Sequence, residues 1–130
     1  MKYIWDTNIA IYYLQKQFPK KAEHYIDSLL QHQLPAISVI TEIELLCWNS
    51  ANEKDWEILQ KFVRDSIIVE LEQKIKITTI ALRKTYRLKI PDAIIAATAL
   101  VQNCLLLSHN TTDFKKIVGL QVIDPYSFID

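Results

Sequence analysis

Two patterns of hydrophobic positions alternate along the chain, and they predict two kinds of element. Short, mainly apolar runs without polar alternation have the length of strands that are covered on both faces. They lie at residues 3–5, 36–39, 67–71, 104–107 and 120–123. Between these runs, apolar residues recur at a spacing of three or four, as at Trp56, Leu59 and Val63, which is typical of helices.

The helical patterns separate successive strands, and this order predicts a parallel sheet because parallel strands need long crossover connections. Pro19 separates the first two helices and Pro91 opens a later one. The predicted longer helices cover residues 7–17, 20–31, 41–48, 53–64, 73–88 and 92–102. We therefore expect an α/β fold in residues 1–130, a single domain with a central, mainly parallel sheet in a three-layer sandwich.

Composition excludes several kinds of function. The 130 residues include one glycine, Gly119, so neither a glycine-rich phosphate loop nor a dinucleotide fingerprint can be present. Lys plus Arg and Asp plus Glu each number 15, so the formal net charge is zero. A strong, purely electrostatic nucleic-acid binder is therefore not expected, although a local basic patch beside an acidic pocket remains compatible with this balance.

The cysteines and the lengths of the apolar runs indicate the cellular location of the protein. Cys47 and Cys104 lie in apolar surroundings without zinc spacing, so we interpret them as buried, unoxidised thiols in a reducing compartment. The charged residue Asp6 comes too early for the apolar stretch of a signal peptide. The longest apolar run, residues 93–101, is shorter than the roughly 20 residues that span a bilayer. We expect a cytoplasmic protein without a membrane partner.

Four acidic residues follow predicted strands or begin predicted helices. In parallel sheets, ligands bind beyond the carboxyl ends of the strands, where such residues lie. They are Asp6, Glu44, Asp92 and Asp113. Asp6 is followed by Thr7 and Asn8, and it could simply cap the first helix. Three consecutive capping-type residues exceed what one helix start needs, which favours a functional interpretation.

The other acids also have structural alternatives. Glu44 could close a capping box with Thr41, and spacing alone does not decide whether Glu42 or Glu44 faces a site. Asp113 could be an ordinary acid in the first turn of a short helix. Asp92 begins a helix that is apolar nearly all round, and the helix dipole alone stabilises such a carboxylate by only about 0.3–1 kcal/mol. A cation or an open pocket must therefore supply the rest.

Together these acids predict one concave acidic site. Neighbouring carboxylates repel one another by about 4 kcal/mol at 4 Å and an effective dielectric of 20, so cations or protons must occupy such a site. The nearby neutral donors are hydroxyl and amide oxygens. A ligand set made only of oxygen selects Mg²⁺ or Mn²⁺ over zinc.

The motifs that carry these acids resemble the four motif blocks of PIN-domain nucleases, especially the VapC-type toxins. They are Asp6-Thr7-Asn8, the segment from Ser38 through Thr41 to Glu44-Leu45, the block at residues 91–99, and the block at residues 110–114. The resemblance extends from Asp6 to about Pro125. It departs from the family in the absence of a glycine soon after Glu44-Leu45, where Cys47 follows instead.

The resemblance implies a Mg²⁺- or Mn²⁺-dependent endoribonuclease that cleaves structured RNA such as tRNA or rRNA. It also implies that a cognate antitoxin protein inhibits the enzyme and that the chain forms a homodimer. Asp6 and Asp92 would hold one or two ions, Glu44 would bind metal or orient the attacking water, and Asp113 would complete a second ion site or act from the outer shell. The supporting residues would be Thr7, Asn8 and Asn110.

A basic segment precedes the Asp92 helix. Residues 73–91 contain six basic residues and no acid, and Arg83, Lys84 and Arg87 are candidates for contact with RNA phosphates, with Arg83 and Arg87 on one helix face. A solvated helix surface is the alternative. His109, in the loop before the last motif, is either a polar loop residue or a phosphate contact. Two other functions remain possible for the chain, a catalytically silent interaction module and a Mg²⁺-binding receiver domain.

Overall fold

A computed structural model describes residues 2–49 and 52–128. Five short strands in these residues form one sheet, in which all pairs of neighbouring strands are parallel and the order is β3-β2-β1-β4-β5. The strands are β1 (Tyr3–Trp5), β2 (Ala36–Ser38), β3 (Ile67–Val69), β4 (Leu105–Leu107) and β5 (Val122–Ile123). The prediction of a parallel α/β sheet is confirmed.

Helices connect the strands and cover the sheet. They are α1 (Thr7–Leu14), α2 (Lys20–Leu30), α3 (Val39–Leu46), α4 (Glu53–Asp65), α5 (Gln73–Thr85), α6 (Ile90–Val101) and the short α7 (Thr111–Phe114), followed by a 3₁₀ helix (Pro125–Ser127). Within residues 2–49 and 52–128, none of these helices combines the length and the apolar character needed to cross a bilayer.

The sheet separates two apolar cores, because successive residues of a strand point to opposite faces. Ile4 and Leu106 lie in the core that α5 and α6 cover, whereas Trp5 and Leu107 lie in the core that α1, α2 and α4 cover. This arrangement gives the three layers that the sequence predicts. It also brings the residue that follows each strand to one edge of the sheet, which we call the carboxyl edge.

Helix α6 is the central buried helix of the fold. The seven residues 93–99 are all buried, and Thr98 satisfies its hydroxyl by donating to the carbonyl of Ile94 at 2.7 Å. The helix begins at Ile90, two residues before the predicted start, with Pro91 in its first turn. Proline is tolerated there because the first-turn N–H groups have no partner within the helix.

Two helix ends differ from the prediction for backbone reasons. Helix α1 ends at Leu14 rather than at residue 17, and Lys16 lies in the left-handed region with φ of 55°. Helix α5 ends at Thr85 rather than at residue 88, because the backbone of Tyr86 is extended. Arg87 therefore lies beyond the helix, and the predicted shared helix face of Arg83 and Arg87 is wrong.

Two burial predictions are also wrong. Strand β3 is an edge strand, and Ile67 is 38% exposed, so this strand is not covered on both faces. Cys47 is exposed because it follows the last turn of α3, whereas Cys104 is buried as predicted. Both cysteines remain thiols rather than disulfide partners.

Candidate active site at the carboxyl edge of the sheet

Asp6 follows β1 directly and is only 5% exposed. Its backbone continues the sheet, because its N–H donates to the carbonyl of Leu107 at 2.9 Å. One carboxylate oxygen accepts from the N–H of Thr7 at 2.8 Å and the other accepts from the hydroxyl of Ser108 at 2.8 Å. Asp6 therefore serves as the N-cap of α1, as the structural alternative proposed, and also carries a carboxylate fixed at the carboxyl edge.

The environment of Asp6 disfavours its negative charge. The pKa of this carboxyl is raised from its ordinary value of 3.8 to about 6. Burial is the largest cause of this rise, and the negative charges of Asp92 and Glu44 also contribute to it. The hydrogen bonds from Ser108 and from the N–H of Thr7 act in the opposite direction but do not compensate. Asp6, Asp92 and Glu44 are thus close enough to repel one another.

Glu44 is joined to the first motif through Thr7. The Thr7 hydroxyl donates to Glu44 Oε1 at 2.6 Å and lies 3.0 Å from the hydroxyl of buried Thr41. The capping box of Thr41 with Glu44 is wrong, because Ser38 is the N-cap of α3 and accepts from the N–H of Ile40. Of the two glutamates in α3, Glu44 is therefore the one that contacts the motif around Asp6.

Asp92 lies in the first turn of α6 and is partly exposed. Burial raises the pKa of this carboxyl, and the negative charges of Asp113 and Glu44 raise it further. Lys89, three residues earlier, is the cation that acts against this rise. Asp92 therefore interacts with acids of both α3 and α7, which gives it a central position among the four.

Asp113 lies on α7 and is partly exposed. Its carboxylate accepts from the side-chain amide of Asn110 at 3.2 Å and lies 3.8 Å from the ammonium group of Lys116. Asn110 is in turn tied to the edge of the sheet, because its N–H donates to the Ser108 hydroxyl at 2.9 Å. A chain of hydrogen bonds therefore runs from Asp6 through Ser108 and Asn110 to Asp113.

We call Asp6, Glu44, Asp92 and Asp113 the carboxylate site. The ligand atoms that these four side chains offer are carboxylate oxygens, and oxygen ligands suit hard cations such as Mg²⁺ or Mn²⁺ rather than zinc. Within the described ranges, however, no three His, Cys, Asp or Glu side chains are placed so that they could hold one metal ion together. The chemistry of the set fits such an ion, although the side chains do not form a closed cage.

The remaining predicted residues lie outside this network. Asn8 is exposed on α1, and none of the hydrogen bonds found in residues 2–49 and 52–128 joins it to the acids. Arg83 donates to the carbonyl of Leu88 and so closes the loop before α6. Arg83 and Lys84 border a groove of about 490 Å³ whose other lining residues include Leu71, Ile80, Ile90 and Ile94, so their surroundings are largely apolar.

One group at this edge, Ser108, was not singled out from the sequence, and one contact of His109 was not predicted. Ser108 binds Asp6, and its position could have been found from the strand register: Trp5 pairs with Leu107, so Asp6 and Ser108 are the next pair along the two strands. His109 lies 3.0 Å through Nδ1 from the carboxylate of Asp124, and no pattern in the sequence indicates that pairing.

Comparisons with known proteins show the family and the fold of the chain. The profile of the PIN domain family matches residues 3–120. No curated protein sequence matches the chain at a significant level.

Three solved structures share the fold over nearly their whole length. A toxin–antitoxin complex from Klebsiella pneumoniae is 31% identical, with a TM-score of 0.76 and coverage of 96% of this chain and 98% of that chain. VapBC-1 from nontypeable Haemophilus influenzae is 26% identical, with a TM-score of 0.77 and the same coverage. VapBC2 from Rickettsia felis, bound to a DNA fragment from their promoter, is 25% identical, with a TM-score of 0.80 and coverage of 95% and 98%.

Proposed function

This chain belongs to the PIN domain family and resembles its VapC-type toxins, and we propose from that premise that it is a divalent-metal-dependent endoribonuclease. The reaction would be hydrolysis of RNA phosphodiester bonds, with residues 1–130 forming one nuclease domain. The family assignment leaves no room for the receiver-domain alternative.

One observation carries this proposal: the Asp6 carboxylate is only 5% exposed, its neighbour Thr7 binds Glu44, and the negative charges of Asp92 and Glu44 act on it. Such an arrangement costs folding free energy unless something positive is bound between the acids. Mg²⁺ or Mn²⁺ would supply that charge, since oxygen ligands suit both ions. A fold that keeps these acids together therefore fits the binding of a divalent cation.

The roles of the four acids follow from their positions. Asp6 and Asp92 would hold the ion because they are the two buried or partly buried acids whose pKa values are raised. Glu44 would bind metal or orient the attacking water, with Thr7 fixing its carboxylate. Asp113 would complete a second ion site or act from the outer shell. When bound, the ion would activate a water molecule and offset charge on the phosphate.

The supporting residues divide into two groups. Thr7 and Asn110 would position Glu44 and Asp113, since each already makes a hydrogen bond to its acid. Asn8 is proposed as a support from its motif alone. Arg83, Lys84 and Arg87 would contact RNA phosphates from the exposed surface beside α6, and Arg83 also donates to the carbonyl of Leu88 through one of its N–H groups.

We further propose a cognate antitoxin as partner, because the structural relatives are toxin–antitoxin and VapBC complexes. Structured RNA such as tRNA or rRNA, a homodimer and a cytoplasmic location belong to the same proposal. Co-expression with the product of a neighbouring short gene, followed by measurement of the mass of the purified complex, tests both the partner and the copy number.

Cleavage of total RNA tests the proposal directly. The wild-type protein is expected to cleave RNA in Mg²⁺ or Mn²⁺ and to lose this activity in EDTA. Asp92→Asn should be inactive, whereas Glu57→Gln, which removes an exposed acid of α4, serves as the matched control and should be active. Absent cleavage by the wild-type protein would instead favour the catalytically silent interaction module, and cleavage that persists in EDTA would contradict the dependence on a divalent metal.

A further inference from the structure

Three residues that follow neighbouring strands form a row along the carboxyl edge. Trp5 pairs with Leu107, which pairs with Ile123, so Asp6, Ser108 and Asp124 are the next positions on β1, β4 and β5. The N–H of Ser108 continues this ladder by donating to the carbonyl of Ile123 at 3.0 Å. Because adjacent strands lie about 4.8 Å apart, the backbone of Asp124 is roughly 10 Å from that of Asp6.

His109 is held beside this row by two neighbours. Its Nδ1 lies 3.1 and 3.0 Å from the two carboxylate oxygens of Asp124, and an ionised carboxylate accepts, so Nδ1–H is the donor. The ring of Tyr126 packs against the imidazole with centroids 4.3 Å apart. Tyr126 is itself fixed, since its ring contacts those of Phe18 and Tyr12 at 5.0 and 5.9 Å.

This arrangement orients an imidazole without using its second nitrogen. The side chain of His109 is 51% exposed, and within residues 2–49 and 52–128 its hydrogen bonds go only through Nδ1. A partner that binds one imidazole nitrogen fixes the direction of the other, as carboxylates do for histidines in metal and catalytic sites. Nε2 is therefore a preoriented group at the surface, one residue from the serine that binds Asp6.

The chemistry of the edge indicates what Nε2 would meet. An RNA backbone that reaches the four acids needs positively charged groups or N–H donors nearby. The protein has one glycine, Gly119, so no glycine-rich loop provides backbone N–H groups. Two lysines beside the carboxylate site already act on its acids: Lys116 lies 3.8 Å from Asp113, and the charge of Lys89 lowers the pKa of Asp92. An imidazole that donates through both nitrogens can join the Asp124 carboxylate to a phosphate oxygen.

We infer that His109, oriented by Asp124 and Tyr126, contacts the RNA backbone through Nε2 next to the carboxylate site. This inference rests on the proposed nuclease function, and it deepens that function by assigning a substrate contact beyond the four acids. A phosphate contact positions the strand without reading its sequence, so the effect should be seen with any RNA.

Binding of a short fluorescein-labelled RNA of mixed sequence tests the inference. The measurement uses the Asp92→Asn background in Mg²⁺, where the proposed function predicts no cleavage, over a series of salt concentrations. His109→Ala should weaken binding by about tenfold and reduce the slope of log affinity against log salt by about one. His109→Gln keeps an N–H donor and should restore part of the affinity.

Two further variants control the experiment. His32→Ala removes an exposed histidine from the loop before β2, at the opposite edge of the sheet, and should change neither affinity nor slope. Asp124→Asn keeps an acceptor for Nδ1 but removes the charge, so it should give a smaller loss than His109→Ala. Thermal midpoints show whether any variant acts through folding instead.

Three results would overturn the inference: unchanged affinity and slope in His109→Ala, an equal loss in His32→Ala, or a lowered thermal midpoint that His109→Gln restores without restoring RNA binding. Failure of the nuclease function gives a different result, namely no metal-dependent cleavage of total RNA by the wild-type protein. The two failures are therefore distinguishable.

Discussion

Asp6 and Asp113 lie in different parts of the carboxylate site, and the chain treats their charges differently. Asp6 is almost completely buried, and its described contacts are hydrogen bonds from uncharged groups while two acids repel it. Asp113 is partly exposed and has a lysine 3.8 Å away and an amide donor. The chain thus compensates the charge of Asp113 itself, whereas under the proposed function a bound cation would compensate the charge of Asp6.

This difference indicates where the cation matters. Solvent and Lys116 already screen Asp113, so a metal ion would compensate its charge less than it would that of Asp6. At Asp6 the surrounding groups exclude water, and an ion would act on a desolvated carboxylate in a less polar environment. We therefore expect substitutions near Asp6 to affect activity and stability strongly, and substitutions near Asp113 to affect them weakly.

The largest expected effect is on cleavage by Asp6→Asn and Asp92→Asn. Both substitutions keep the size of the side chain and remove a ligand charge, so RNA cleavage in Mg²⁺ should fall by at least about 100-fold, more than outer-shell changes usually cause. Circular dichroism should show an unchanged fold. Near-normal Mg²⁺-dependent cleavage by either variant would remove that residue from the site.

The second effect is on stability. A carboxyl whose pKa is higher in the folded than in the unfolded protein favours folding below the unfolded value, and this contribution is lost as pH rises through the folded value. For Asp6 this stabilising contribution is lost between pH 3.8 and about pH 6. Each pKa unit corresponds to about 1.4 kcal/mol, so at neutral pH the ionised group costs up to about 3 kcal/mol in the absence of metal.

Asp6→Asn should therefore stabilise the metal-free protein near pH 7.5, with the gain limited to about 3 kcal/mol, and should stabilise it less near pH 4.5. Asparagine keeps an acceptor for the N–H of Thr7 and can donate to Ser108. Urea unfolding in EDTA at both pH values measures the difference. A variant that is less stable than the wild-type protein at both would contradict the origin of the raised pKa.

A smaller effect is expected for Asp113→Asn. Because this acid already has Asn110 and Lys116 as neighbours, its loss should reduce cleavage by only about tenfold, in the range of outer-shell substitutions. Initial rates at saturating Mg²⁺ measure it beside Asp6→Asn. Equal losses in the two variants would show that the two parts of the site do not differ as proposed.

The smallest effect is expected for Lys116→Ala. An exposed ion pair contributes about 0.2–1 kcal/mol to stability, so unfolding and cleavage should both change little. Lys115→Ala, which removes the neighbouring exposed lysine, is the control. A strong loss of cleavage in Lys116→Ala alone would mean that Lys116 contacts the RNA rather than only Asp113.

The sequence predicted the part of the molecule that depends on strand ends. Parallel strands bring their carboxyl ends to one edge, so the position of Asp6 after β1 followed from the hydrophobic pattern. The buried helix that carries Asp92 was also predictable, since its run of apolar residues has no polar face.

Details that depend on competing local choices were not predictable. Ser38 and Thr41 are both capping-type residues, and only the folded chain shows that Ser38 caps α3 and that Thr41 is buried beside Thr7. The end of α5 depends on the extended backbone of Tyr86, and no glycine or proline at this position indicates that the helix ends there. The pairing of His109 with Asp124 depends on β5 lying next to β4, which is a matter of strand order.

Titration calorimetry with Mn²⁺ near neutral pH tests the central claim, that the charge of Asp6 and its neighbours is compensated by a divalent cation. The wild-type protein should take up Mn²⁺, Asp6→Asn and Asp92→Asn should not, and Asp113→Asn should bind it more weakly. Wild-type uptake that persists unchanged in both Asp6→Asn and Asp92→Asn, or no uptake by the wild-type protein, would contradict the account.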